Sequence, residues 1–533
     1  MKPPLTPIQT DYLTAAVQFV IPEVALVGVA CGLFLLGLWV PKRVVALVVG
    51  LAGIGLAAAL AAAPSVGGAE VGTFWATAGD APYPRALAAF DPTGAAAFVR
   101  WLSLGTAAVL LLACWRETTD DTAADYAACF LVVAAGTALV GRANDLVSLF
   151  LALEMVSIPT YVLLYLPARG RPGQEAGVKY FLLSVLSSAV LLFGFSYLYG
   201  LTGATNLAAV TDTLTDAHKQ GVSPLALIAA VMVIAGLGFR ITAVPFHFYA
   251  PDVYEGGPTG VVAQLAVIPK IAGFVALARV LGLLTPPAAD LPFDAATTLI
   301  PLTLWVLAAV TMTFGNVLAL LQTNLKRLLA YSGIAHAGYM LIGVLVACSL
   351  PDAKAAGMAQ LGMDSVLFYL VAYGLMTAGA FAVLLYLGDG VDSADDLSGL
   401  GQSHPLAAGL MAVFLLSLIG LPLTAGFMGK FLLFVGAFNA PTVPPMGNMY
   451  RVLAVIAAVN AAVGAVYYLR LLGVMYQRPA GERVTGGRSG PALAAAIVCA
   501  VGTLALGVYP KPLAEAAKAA VPVTDSRPAS TPR

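Results

Sequence analysis

Charge is what this sequence has least of. Lys, Arg, Asp and Glu make up 10% of its 533 residues, where a soluble domain carries about 25%. No polar block is long enough to form a soluble domain, and no loop is large enough to be a catalytic domain. The 27 basic and 27 acidic residues leave no net charge, which excludes a broad basic surface and with it nucleic acid as a partner. The five cysteines, Cys31, Cys114, Cys129, Cys348 and Cys499, stand far apart in apolar stretches. Without a CxxC pair or a ferredoxin-like run, the chain offers no ligand set for an iron–sulfur cluster or a structural zinc. The opening MKPPLTPIQTDYL lacks the charged and apolar parts of a cleavable signal. The first apolar span is therefore expected to remain as a membrane helix.

What is present is apolar sequence, 60% of the chain. Fourteen runs are long enough to cross a bilayer, which takes about 20 residues each. They lie near 19–40, 44–63, 94–114, 122–141, 145–166, 177–201, 223–250, 257–284, 297–322, 325–348, 361–388, 406–437, 446–475 and 490–509. The expected fold is an all-α integral membrane protein forming one membrane domain. Fourteen spans put both termini on one side. Odd-numbered connections carry ten Lys and Arg and even-numbered ones five, so the former are expected in the cytoplasm and both termini on the outer side. The tail after Tyr509 is expected to be ordered only where it is held down.

Four charges sit where a membrane should exclude them. Glu154 is near the middle of the fifth span, Arg240 deep in the seventh, Lys270 central in the eighth and Lys430 inside the twelfth. Each opposes insertion by about 2.5–3.5 kcal/mol at the bilayer centre. Structural ion pairing is the bland explanation, but three cations and one carboxylate cannot all pair. A path for a small cation fits the set better. Lys179, near a helix start, could instead reach the interface. Prolines accompany the charges: Pro159, Pro245, Pro269 and Pro422. An interior proline removes a helical donor and frees a carbonyl, which in hydrocarbon is tolerated only beside protein or a hydrated cavity. The twelfth span, about 48 Å if continuous, exceeds the ~30 Å core and should break at Gly420-Leu421-Pro422.

A faint repeat runs through the chain. Gly238-Phe239-Arg240-Ile241-Thr242-Ala243 is similar to Gly420-Leu421-Pro422-Leu423-Thr424-Ala425, and Tyr161 matches Tyr339. The implied organisation is 1–121 with spans 1–3, 122–284 with a five-span unit, 297–475 with a second, and 476–533 with span 14 and the tail. Five is odd, so the second unit is inverted, as in ion-coupled transporters with broken helices.

These segments are similar to a known family. DLVSLFLALEMVSIPTY (145–161) resembles the fifth helix of the antiporter-like membrane subunits of respiratory complex I. VPFHFYAPDVYEGGPT (244–259) resembles that family's broken seventh helix and following loop, NLKRLLAYSGIAH (324–336) its tenth, and LIGLPLTAGFMGKF (418–431) its broken twelfth. Lysine at position 430 is the pattern of the N-type subunits, where the L and M types are acidic. The resemblance implies two inverted five-helix repeats with broken helices 7 and 12. It implies proton translocation coupled to NADH–quinone electron transfer in a bacterial inner membrane. Glu154 would pair with the seventh-helix cation, Lys270 would carry the proton centrally and Lys430 would pass it toward the outer face. Lys179, His247 and His336 would be secondary members of the relay, although His336 equally suits a packing role. No cofactor is implied in this chain: NADH, FMN, iron–sulfur clusters and quinone would belong to other subunits. Those membrane-arm subunits and membrane lipids would be its partners. Arg240 departs from the family, which has lysine there; arginine keeps the charge but does not release a proton. A multi-subunit cation/proton antiporter of the same superfamily is the alternative, and no pocket signature points to an organic solute.

Overall fold

The computed structural model describes residues 19–63, 94–166, 170–218, 223–284, 295–349, 360–388, 391–440, 446–479 and 489–521. Twelve of its helices are long and apolar enough to cross a membrane. In chain order the first are α1 (Ile21–Trp39), α2 (Arg43–Ala62), α3 (Gly94–Ala113), α4 (Ala123–Arg142), α5 (Leu146–Tyr165) and α6 (Gly170–Thr202). The short α7 (Leu207–His218) leads to α8 (Pro224–Arg240) and α9 (Ala250–Gly256). Then come α10 (Thr259–Leu284), α11 (Ala295–Leu320), α12 (Leu325–Ser349) and α13 (Gln360–Leu387). The chain ends with α14 (Pro405–Ile419), α15 (Ala425–Phe438), α16 (Met449–Gln477), α17 (Gly490–Val508) and the short α18 (Lys511–Ala520).

Among the described residues the seventh and twelfth spans are interrupted. The seventh is α8, an unwound stretch and α9; the twelfth is α14, a break at Gly420 to Thr424, and α15. Each break contains a non-glycine residue with positive φ, Thr242 at 59° and Leu423 at 69°, and Gly420 takes 94°. Such backbone exposes polar groups that hydrocarbon cannot satisfy, and neighbouring side chains supply the partners. Val244 N donates to Thr311 Oγ1 at 3.0 Å and Tyr249 Oη donates to Phe239 O at 3.1 Å. In the second break Gly426 N donates to Ser417 Oγ at 3.1 Å, and Lys430 Nζ donates to Leu418 O and Ile419 O at 2.8 and 3.0 Å.

The two halves share a junction that the sequence did not display. Leu146 N donates to Thr205 O at 2.8 Å and Leu207 N to Asn144 O at 2.9 Å, tying the start of α5 to the chain after α6. In the second half Leu325 N donates to Asp392 O at 2.7 Å and Ala394 N to Thr323 O at 3.0 Å. The start of α12 is thus tied in the same way to the chain after α13. Asp145 and Asn324, one before each helix, accept first-turn N–H groups. Each bridge consists of two backbone hydrogen bonds, one in each direction between the two segments.

Contacts between helix ends sort the molecule into two faces. On one, Glu23 of α1 receives a two-pronged hydrogen bond from Arg100 of α3 at 2.6 and 2.7 Å, with Arg142 of α4 at 4.0 Å. Arg279, late in α10, donates there to Gly141 O and Ala143 O. On the other face Asp252 of α9 binds Lys179 of α6 at 2.9 Å and Arg327 of α12 at 2.8 Å. This second cluster clamps the first half to the second.

Candidate proton-conducting axis

The first centre is the pair made by α5 and α8. Pro159 bends no residue out of α5, which carries Glu154 and Ser157 on adjacent turns. Arg240 is the last residue of α8, at the lip of the break. Its Nη2 lies 2.8 Å from Glu154 Oε1, with the side chains 5% and 18% exposed. Arg240 Nη1 donates to Ser157 Oγ at 2.5 Å and Leu153 O at 3.1 Å, and Nη2 also reaches Ser188 Oγ. Ser188 donates in turn to Glu154 at 2.6 Å. The sequence-based expectation that these two charges pair is thereby met in geometry, and two serines complete the shell.

The second centre is Lys270 on α10, 1% exposed. Gly273, three residues further along, packs so close to α8 that a Cβ there would meet Arg240 Cβ at 3.3 Å. The pair and the lysine are therefore about one helical turn apart along α10. On its other side Lys270 faces α12, where a Cβ on Gly333 would stand 3.4 Å from Nζ. The ammonium also lies 5.8 Å from the ring centre of Tyr373. Among the described residues, neither Lys270 nor Lys430 forms an ion pair.

His336, 1% exposed on α12, joins the two lysines. Its Nδ1 is 2.5 Å from Tyr369 Oη and its Nε2 3.3 Å from Tyr468 Oη, and Tyr468 is hydrogen-bonded to Ser332. Rings of Tyr339 and Tyr373 lie 5.7 and 5.5 Å from the imidazole. Tyr339 reaches onward, since Lys430 Nζ sits 5.0 Å from its ring centre. Asn316 then ties Tyr339 to Tyr467 of α16. Glu154, Arg240, Lys270, His336 and Lys430 thus lie along one buried string crossing from the first half into the second.

Two candidates stand apart from it. Lys179 is 40% exposed and held by Glu175 at 2.7 Å and by Asp252, within the clamp between halves. His247 is half-buried in the unwound segment between α8 and α9, and among the described residues no hydrogen bond joins it to the string. The sequence reading missed Tyr369, Tyr373, Tyr468, Ser157 and Ser188 as members of the site. It also missed the Glu23–Arg100 pair, because Arg100 lies near the start of its apolar span, where a long side chain can reach the interface.

Comparison with known proteins agrees with this architecture. Residues 143–459 match the family described as NADH:quinone oxidoreductase/Mrp antiporter, transmembrane. NADH-quinone oxidoreductase subunit N of Trichlorobacter lovleyi is 35% identical over 514 residues, 96% of this chain and 98% of that one. Subunit N 1 of Solibacter usitatus is 39% identical over 397 residues, covering 73% and 76%. A chain of respiratory complex I from Thermus thermophilus superposes with a TM-score of 0.73 at 31% identity, over 94% of this chain and all of that one. A chain of the Mrp complex from Dietzia shares the fold at 21% identity and a TM-score of 0.72, covering 95% of this chain and 96% of that one. Family match, near full-length similarity and fold converge: this chain belongs to the NADH:quinone oxidoreductase/Mrp antiporter transmembrane family, within its NADH-quinone oxidoreductase subunit N group.

Proposed function

We propose that this chain is a proton-translocating membrane-arm subunit of a bacterial NADH–quinone oxidoreductase, driven by charge and carrying no redox centre itself. The observation that carries the reading is the buried string from Glu154 and Arg240 through Lys270 and His336 to Lys430. Glu154 and Arg240 act as a switchable pair beside Lys270. While the carboxylate is charged and close, it favours the protonated lysine; when its charge is lost or drawn away, the unopposed guanidinium favours proton release. Tyr373, whose ring lies between Lys270 and His336, and the hydrogen-bonded pair His336 and Tyr369 supply polar groups along the way. Lys430, anchored on the carbonyls at the end of α14, takes it toward the outer face. Arg240 is a fixed counter-charge in this scheme rather than a carrier.

In the same reading NADH, FMN, the iron–sulfur clusters and quinone belong to partner subunits, and quinone meets this chain only through the complex. The chain lies in the inner membrane with both termini outside, and 122–284 and 297–475 act as inverted units. The test is purification. An affinity tag on this chain, used on gently solubilised membranes, should bring down NADH oxidation that reduces quinone. Recovery of a complex that exchanges cations for protons without NADH activity would assign the chain to the antiporter branch instead.

A further inference from the structure

Lys430 takes its surroundings from the twelfth-span break and from one aromatic ring. A protonated lysine has three N–H donors, and Lys430 Nζ reaches Leu418 O at 2.8 Å and Ile419 O at 3.0 Å. Among the described residues its remaining partner is the ring of Tyr339, over which Nζ stands 5.0 Å from the centre. That is within the range at which an aromatic face attracts an ammonium. The attraction depends on how the ring is turned, because the face is negative and the edge positive. Whatever holds the ring therefore also helps to hold the proton.

Asn316 holds it. This side chain, buried on α11, stands where α11, α12 and α16 meet. Gly464 lets α16 close on it: a Cβ there would lie 3.0 Å from Asn316 Oδ1. Asn316 Nδ2 donates to Met312 O at 2.9 Å. A carbonyl can only accept, so this bond fixes which end of the amide is nitrogen. Nδ2 also donates to Tyr339 Oη at 3.0 Å, while Oδ1 accepts from Tyr467 Oη at 3.1 Å. Tyr339 is thus pinned at the tip of its ring, with its face left to the lysine. We infer that Asn316 is a positioning residue for Lys430: it keeps the face of Tyr339 under the ammonium and so favours the loaded lysine. The neutral amine has no charge for the ring to attract, so the contact acts on one state only. The inference rests on the reading of Lys430 as a proton carrier.

Few other groups can titrate against Lys430. Those near it are Tyr339 and His336 of α12 and Tyr369 of α13, whose ring a Cβ on Gly429 would strike. Asp364 of α13 is engaged instead with Ser365 N and lies toward Lys518 of α18. Lys326 and Arg327, at the start of α12, belong to the face of the Asp252 clamp. α14 and α17 carry no charged residue, and Arg451 and Arg470 of α16 are exposed and donate to backbone carbonyls.

The test measures coupled NADH–quinone turnover and proton pumping of the intact complex in proteoliposomes from about pH 6 to about pH 9. Each variant is normalised to NADH oxidation by a hydrophilic artificial acceptor. Asn316→Leu should run several-fold below wild type at the alkaline end and approach it at the acid end, where more protons offset the weaker hold on the ammonium. Tyr339→Phe keeps the ring and loses the tether, so it should show the same acid-rescued defect; it also serves if Asn316→Leu fails to assemble. Combining the two should add little to either. Asn460→Leu cuts a neighbouring bond of the same seam, from α16 to Thr313 Oγ1 of α11 at 3.2 Å, and should leave the pH profile in place. The inference is overturned if the Asn316→Leu or Tyr339→Phe defect is equal at every pH or absent, or if Asn460→Leu reproduces it. Lys430→Ala, measured alongside, separates the two readings. If it abolishes pumping while Asn316→Leu follows the wild-type profile, only the positioning role falls; if it pumps normally, the relay falls and this inference with it.

Discussion

Arg240 concentrates the residue-scale physics. Its guanidinium divides its donors between Glu154, two serines and a helical carbonyl, so both its charge and its shape are used. Removing one partner of a buried pair costs about 3–5 kcal/mol. Arg240→Ala should therefore depress coupled NADH–quinone turnover strongly, whereas Arg240→Lys should retain most of it because the charge survives. Adding Glu154→Gln to Arg240→Ala should damage less than the sum of the two single changes, the mark of direct coupling. Turnover of the four forms, each checked for assembly, measures this; additive losses would show that the two residues do not act together. The four buried charges were legible in the sequence because a charge in an apolar run has few explanations. The phenols around His336 were not. A tyrosine in a membrane helix is apolar along most of its length, and only the packing of α12, α13 and α16 shows that Tyr369, Tyr373 and Tyr468 converge.

At the scale of elements, the broken helices and the clamp between halves carry separate predictions. Gly420 adopts φ 94°, and a Cβ there would approach Lys430 Cδ at 3.2 Å. Gly420→Ala forces a side chain into left-handed backbone, at a cost of about 1 kcal/mol or more, and crowds the lysine. Thermal unfolding of the complex should shift down and quinone turnover should fall with it; unchanged values for both would mean the break tolerates an ordinary residue. Asp252 joins α9 to α6 and α12 through Lys179 and Arg327. A carboxylate paired with cations in the folded state gives its stabilisation while ionised and loses it only as acid protonates it. The clamp should thus be constant from about pH 5 to 8. Asp252→Asn should lower thermal stability by the same amount at both ends of that range, with the effect reduced by the half-exposed setting of the pair. A pH-dependent difference there would assign the titration elsewhere. The position of the twelfth-span break was readable from Gly420 and Pro422, because a 32-residue run is too long for the membrane. The bridges at Leu146 and Leu325 were not readable, since they are made by backbone atoms whose partners are about sixty to seventy residues away.

For the whole molecule, the alternation of helix ends between two faces fixes the topology but not which face is cytoplasmic. From the excess of Lys and Arg in odd-numbered connections we propose that the side bearing the Asp252 clamp is the inner one. A cysteine at Pro479, between α16 and α17, should react with an impermeant reagent only after cells are opened; labelling in intact cells would reverse the orientation. The central claim is that charge moves through the string, and Lys270 is its middle. Lys270→Ala in an assembled complex should sharply reduce both proton pumping into proteoliposomes and coupled NADH–quinone turnover. NADH oxidation by a hydrophilic artificial acceptor should stay normal, because those electrons leave before the membrane arm. Pumping at the wild-type proton-to-electron ratio in that variant would contradict the account and make Lys270 a structural residue.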